Sequence, residues 1–298
     1  MKEIVVLSGK GGTGKTSITA ALASLAGRVV LADCDVDAAN LNLLLQPVPV
    51  ERHEFIGASK ARVDPSRCTA CGACTEPCRF DAIRIGAAAA GVDPLRCEGC
   101  GVCLMCCPEA AITMAPTLCG HWSISSTALG PLVHARLLPG SENSGRLVSI
   151  LRQAAQDLAR RSAADWLLAD GPPGTGCPAV STLTGAGYAL LVTEATLSGF
   201  EDLKRVAALA SHFGIPAGVL VNKADINPLI AARIEEFSRA SGRDVLGRIP
   251  ADPAFNRAQI AGVPVLAAAG EQLRRNLENL WQTVTACARR GRRPLNVI

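Results

Sequence analysis

The sequence predicts an α/β protein, a mostly parallel sheet flanked by helices, interrupted by a small inserted α+β domain rich in cysteine. Three observations predict it. An apolar run, Ile4-Val5-Val6-Leu7, passes through a glycine-rich turn into a helical stretch and on to a second apolar run, Val29-Val30-Leu31-Ala32. Strand, helix, strand in that order is the pattern of a parallel crossover. Further apolar runs at Trp166–Ala169, Ala189–Thr193 and Ala217–Val221 continue it late in the chain. From Val63 to Ala115 the pattern is replaced by a 29-residue repeat with cysteines at matching offsets. Residues 1–60 and 118–298 are thus expected to form two parts of one domain, with 61–117 as the insert.

The turn after the first strand, Ser8-Gly9-Lys10-Gly11-Gly12-Thr13-Gly14-Lys15-Thr16, fits G-x-x-x-x-G-K-[ST] between a strand and a helix. This is a P-loop, and the large domain reads as a P-loop NTPase. Backbone N–H groups from Gly9 to Ser17 and the positive end of the next helix would face phosphates. Lys15 would reach the β/γ-phosphates and the Thr16 hydroxyl would bind Mg²⁺. A helix is expected from Lys15 to Ala26. Asp33 and Asp35 follow the second strand at its carboxyl end, where ligands bind in such sheets, so one of them is expected to act on Mg²⁺ or the attacking water. Asp37 reads as the N-cap of a short helix ending at Leu45.

The insert carries Cys68, Cys71, Cys74 and Cys78, then Cys97, Cys100, Cys103 and Cys107, which is C-x2-C-x2-C-x3-C twice. This is two-cluster bacterial ferredoxin spacing, in which the fourth cysteine of each run ligates the other cluster. Cys68, Cys71, Cys74 and Cys107 are therefore assigned to one [4Fe–4S] cluster, and Cys97, Cys100, Cys103 and Cys78 to the second. Two zinc sites would also use eight cysteines; the duplication and Pro108 favour clusters. Arg79 stands where the first run would have its proline, and Cys106 competes with Cys107 on every ground but spacing. With few large apolar groups, the insert is expected to depend on its clusters for stability.

Beyond the insert, Gly130–Ala135 reads as strand, 141–145 as a turn and Leu147–Arg161 as a helix. His134 and the other histidines read as structural. Asp170, ending the Trp166 strand, takes the Walker B position, and the following Gly171-Pro172-Pro173-Gly174 loop could respond to the γ-phosphate. Asn222 could pair with a purine edge. A last helix from Leu273 to Ala288 carries an apolar stripe, followed by the basic run 289–293. That helix either packs on the domain or anchors at a membrane surface.

Composition narrows the partners. A net charge of +4 without a basic stripe, and 3% aromatic residues, argue against nucleic acid. The first strand begins too early for a signal peptide and no run is long enough to span a membrane, so a cytoplasmic location without a membrane partner is expected. Thirteen cysteines there imply metal or redox chemistry rather than disulfides.

Lys10 makes the P-loop K-G-G-x-G-K-T. This resembles the deviant Walker A proteins: MinD, ParA, the nitrogenase iron protein and the Mrp iron–sulfur carriers. With the insert and Asp170-Gly-Pro-Pro-Gly-Thr-Gly-Cys177-Pro, the chain resembles MinD-superfamily ATPases carrying a ferredoxin domain. The resemblance implies ATP as substrate and a homodimer formed on ATP binding, with Lys10 reaching the partner's phosphates. It also implies Asp35 as the water-orienting carboxylate, Asp170 in switch II, and Asn222 and Pro250 in the adenine-binding loops. Asn222-Lys223-Ala224-Asp225 equally satisfies the guanine pattern N-K-x-D. Cys177 matches a bridging-cluster cysteine of the iron protein, without an obvious second cysteine unless Cys119 substitutes; it reads equally as a small buried hydrophobe. Three functions follow: an ATPase gating electron or cluster transfer to a redox partner or iron–sulfur acceptor protein, an Mrp-type carrier using Cys177, and a MinD-like positioning switch with structural or redox-sensing clusters.

Overall fold

The computed structural model describes residues 1–141 and 143–290, apart from the side chain of Ala58. The chain divides into two compact units, Met1–His53 with Trp122–Arg136 and Ser144–Ile298, and Glu54–His121 with Leu137–Asn143.

The first unit is built on parallel strands. β1 (Lys2–Ser8) is followed by α1 (Lys15–Leu25), β2 (Val29–Asp33) and α2 (Leu41–Leu45), and the long strand β3 (Val48–Val63) then carries the chain into the second unit. Within that unit lie β4 (Ile83–Ile85), β5 (Ala90–Val92) and α3 (Val102–Cys106), and the chain returns along β6 (Ile112–Thr127) to β7 (Gly130–Leu137). Next come α4 (Ser144–Arg161), β8 (Trp166–Pro173), α5 (Cys177–Leu183), β9 (Tyr188–Glu194), α6 (Leu197–His212) and β10 (Ala217–Asn222). α7 (Pro228–Ala240), β11 (Asp244–Ile249), α8 (Pro253–Ala261), α9 (Val265–Ala268) and α10 (Glu271–Arg290) complete it.

The sheet order is β11-β10-β9-β1-β8-β2-β7-β6-β3, parallel from β11 to β7. A two-residue connection between β6 and β7 requires an antiparallel pair. The order reverses at β1, whose successor β2 lies on one side and whose partner β9 lies on the other. Ligands bind at such switch points, beyond the strands' carboxyl ends, and the P-loop leaves β1 there.

Alternation sorts the strand residues between two faces. Ile4, Val6, Leu168, Leu190 and Leu220 join residues of α1, α2, α8, α9 and α10 in one core, while α4 to α7 pack on β2, β8, β9 and β10. The apolar stripe of α10, Leu273, Leu277, Leu280 and Val284, is buried in the first of these cores. That packing is the first of the two arrangements anticipated for this helix, and 291–293 of the basic run lie outside the described residues. No helix among the described residues is long and apolar enough to cross a membrane.

Several boundaries differ from the sequence reading. The helix after Asp35 starts only at Leu41, with Asn40 at its N-cap, so Asp37 lies ahead of the cap; Asp33 accepts the Leu41 N–H at 3.1 Å. Ser144 and Gly145 open α4 rather than closing a turn. β3 and the full length of β6 were not anticipated. In β3 the stretch Glu51-Arg52-His53-Glu54 is exposed or half-buried, the charged dress of an edge strand, which hides apolar alternation.

The second unit has a twofold internal pattern. The Asp64 N–H donates to the Ala111 carbonyl at 2.7 Å, and the Asp93 N–H donates to the Ala82 carbonyl at 2.7 Å. Within each half the N–H of Cys68 or Cys97 turns back to the carbonyl of its own Asp64 or Asp93 at 3.1 Å. Left-handed residues also recur one repeat apart, at Gly72 and Gly101 and at Asp81 and Ala110. The sequence repeat is therefore a backbone repeat, with each half hydrogen-bonded to the other.

Candidate functional site

The phosphate end of the first unit is assembled by β1, β2 and β8, which bring Val6, Asp33 and Asp170 side by side in register. Lys15, in the first turn of α1, lies 3.2 Å from Asp35 Oδ2 and 3.7 Å from Asp170 Oδ1. Burial works against the ammonium charge, but Asp170 and Asp35 outweigh it and hold the Lys15 pKa above its usual value. The Thr16 hydroxyl donates to Asp170 Oδ2 at 2.6 Å. Burial raises the Asp170 pKa against the opposing pull of Lys15. Asp33 is pushed up further, by burial and then by Asp170, and its oxygens accept the N–H groups of Asp35 and Leu41. Of the two aspartates left open by the sequence, Asp35 is the one that faces Lys15; Asp33 shapes the loop.

Gly14 has φ +89° and a methyl group there would strike the Asn222 side chain, so only glycine fits between P-loop and β10. Asn222 donates through Nδ2 to the Thr13 carbonyl at 2.8 Å, while its buried Oδ1 and the Thr13 hydroxyl have no partner. A cleft opens here, lined by Gly12, Gly14, Ser17, Asn222, Ala251, Pro253 and Asn256 among others. Pro250 precedes this lining and is exposed. Asp225, the last residue of N-K-x-D, accepts the Ala251 N–H at 2.6 Å. Gly9 and Lys10 lie upstream; Lys10 pairs with Glu194 Oε1 at 2.6 Å.

The sequence reading missed three groups here. Thr19 reaches Asp170 Oδ1 at 3.1 Å; its position one helical turn after Lys15 is a usable signal. Glu194 ends β9, on the edge where ligands gather, and could have been found by that rule. Arg152 is buried against Glu3 and donates to the Ser181 and Thr184 carbonyls, a structural network with no motif to announce it. Cys177 opens α5 and is exposed, which corrects the reading as a buried hydrophobe. Cys119 is buried in the second unit and directs its thiol to the Thr117 carbonyl.

In the second unit the eight motif cysteines separate into two groups. One small cavity is lined by Cys68, Cys71, Cys74 and Cys107, with Val63, Ile85 and Ile112 among its walls. The other is lined by Cys97, Cys100, Cys103 and Cys78, with Phe80, Ile83 and Val92. Each holds three thiols from one run and one from the other. Among the described residues no group of three His, Cys, Asp or Glu side chains could hold a metal ion; the thiols ring a volume instead. Backbone N–H groups of Ala90 and Ala111 point to the sulfurs of Cys68 and Cys107 at 3.4 and 3.3 Å. Cys106 is exposed and lines neither cavity. Soft sulfur donors around an apolar volume, two of them receiving N–H bonds, are residues that could hold iron–sulfur clusters.

Comparison with known proteins bears on the family and the fold. A protein of Methanocaldococcus jannaschii described as uncharacterized is 34% identical over 229 residues, 76% of this chain and 79% of that one. Among solved structures, the cell division ATPase MinD of Pyrococcus furiosus superposes with a TM-score of 0.57 at 20% identity, covering 96% of this chain and 98% of that one. The septum site-determining protein MinD of Pyrococcus horikoshii, complexed with Mg-ADP, gives 0.56 at 19% identity with 95% of each chain covered. Residues 4–265 match the CobQ/CobB/MinD/ParA nucleotide binding domain, and the chain belongs to that family.

Proposed function

We propose that this protein is a Mg-ATP-dependent dimeric switch that couples nucleotide binding and hydrolysis to electron transfer or iron–sulfur cluster transfer through a two-cluster ferredoxin-like unit. One observation carries the coupling to iron–sulfur chemistry: the exchanged three-plus-one division of eight cysteines between two cavities, the ligand division of two-cluster ferredoxins. Clusters bound there would supply one-electron chemistry. Lys15 binds the β/γ-phosphates, Thr16 holds Mg²⁺ with Asp170 behind it, and Asp35 orients water. The base lies in the cleft beside Asn222. One oxygen of Asp225, the residue that would read guanine, is already engaged by the Ala251 N–H, which favours ATP over GTP.

The test is an anaerobic preparation with iron analysis and EPR, with and without Mg-ATP. About eight irons per chain, in line with two four-iron clusters, and an EPR signal that changes with Mg-ATP in the wild type but not in Lys15→Ala, are expected. An iron-loaded protein whose signal ignores nucleotide would remove the coupling. The exposed thiol of Cys177 favours a second reading, a carrier that hands a cluster to an apo-protein. Cys177→Ser with unchanged iron and unchanged donation to an apo-ferredoxin would remove it.

A further inference from the structure

Glu194 receives two lysines. Its Oε1 lies 2.6 Å from Lys10 Nζ and its Oε2 lies 3.4 Å from Lys223 Nζ. Lys10 also donates to Ser198 Oγ at 3.0 Å, and Lys223 donates to the Gly12 carbonyl at 3.0 Å. The corner bearing these acceptors is held firmly. Thr196 caps α6 by accepting the Gly199 N–H at 3.0 Å, and the Thr193 hydroxyl donates to the Gly199 carbonyl at 2.8 Å. The start of the P-loop is pressed on the same helix, because a methyl group on Gly9 would overlap the backbone of Asp202. Lys10 therefore meets Glu194 as a consequence of main-chain packing.

We infer that Glu194 is a positioning residue that holds Lys10 within its own chain in the absence of a partner, and that Lys223 takes over the carboxylate when Lys10 leaves. A lone carboxylate would be left uncompensated by that departure, at a cost rising with its burial. The Glu194 side chain is 13% exposed and the Lys10 side chain 31%, so the acceptor is shielded while the cation can swing to solvent. A second lysine on the other oxygen keeps the charge matched throughout. In its consequence for assembly the inference rests on the dimeric switch proposed above; in the free chain it stands on the ion pair alone.

The full-length protein without nucleotide is treated with a limiting amine-acylating ester, and labelling of each lysine is read by mass spectrometry. Lys10 labelling, relative to the exposed Lys2, is expected to rise several-fold in Glu194→Gln, and to rise in the wild type when salt screens the pair. The salt arm needs no substitution, so it decides the matter even where the variant folds poorly. Equal Lys10 labelling under all conditions would overturn the inference. With Mg-ATP, Glu194→Gln is expected to self-associate at several-fold lower protein concentration in sedimentation, and Lys10→Ala to stay monomeric. Unchanged association of Glu194→Gln would overturn the restraint. Wild-type association by Lys10→Ala would instead sink the dimeric switch, with the labelling result still deciding the pair in the free chain.

Discussion

The two units are held together by different means. The first has a continuous apolar core in which Leu22, Leu31, Leu168, Leu190, Leu277 and Val284 are buried between sheet and helices. The second packs Ala61, Cys74, Ile83, Ala90, Cys103 and Ile112, with Cys68, Cys78, Cys97 and Cys107 partly buried around them. Apart from Phe55, its buried core side chains are no larger than Ile83 and Ile112, and its thiols face cavities rather than one another. Burial of apolar area at about 25 cal/mol per Å² stabilises a unit only where that area exists. The first unit thus has the apolar area to fold by exclusion of water and the second has little of it; on the iron–sulfur reading proposed above, the second folds around what its thiols bind.

The sharpest way to break this contrast is to remove iron. Chelation under reducing conditions is expected to abolish hydrogen-exchange protection across residues 61–117 while β1, β8 and β9 remain protected. Retained protection in the insert would show that its apolar groups suffice. The converse perturbation is Arg152→Ala, which removes the cation from the buried Glu3 carboxylate and leaves the Ser181 and Thr184 carbonyls without their donor. A loss of about 3–5 kcal/mol is expected for the first unit, read from urea midpoints, with the visible absorption of the loaded insert unchanged at native concentrations.

A smaller effect is expected from acid. His134 is partly buried, accepts or donates one bond to Ser125 at 2.9 Å, and burial lowers its pKa. The unfolded chain therefore binds this proton first. The histidine's contribution is complete above the ordinary imidazole value of about 6.5 and is lost as pH falls from there through the lowered folded value. Melting temperatures at pH 7.5 and 5.5 (about one unit either side of that value) should fall less in His134→Gln than in the wild type. The smallest expected effect is that of Cys106→Ser, which should leave iron content unchanged, whereas Cys107→Ser lowers it. Equal losses would return the fourth ligand to doubt.

The contrast also governs what could be read from residues. The P-loop and the cysteine runs could be picked out because each is a local spacing, and Asp170 because it ends an apolar run. Lys15 and Asp35 were nameable separately, but their 3.2 Å approach depends on β2 reaching past β8. Long-range partners were harder: Glu194 for Lys10 and Thr19 for Asp170 had only a strand end and a helical turn to mark them, and Arg152 for Glu3 left no local trace. The edge strand β3 was invisible for another reason, since charge on its solvent side masks the period of two that Phe55, Gly57 and Ala61 follow. The helix expected from Asp37 begins only at Leu41, where the buried Asp33 accepts the N–H of the first helical residue.

The reciprocal bonds between the insert's halves, Asp64 to Ala111 and Asp93 to Ala82, set a lower limit on the module. A polypeptide ending anywhere in the 86–89 connection would carry Cys68, Cys71 and Cys74 without Cys107, and Cys78 without its three companions. Each half would own most of one binding site and a fragment of another's. On the two-cluster reading proposed above, the insert is thus indivisible, and a single-cluster version of it would have to be rebuilt rather than cut out.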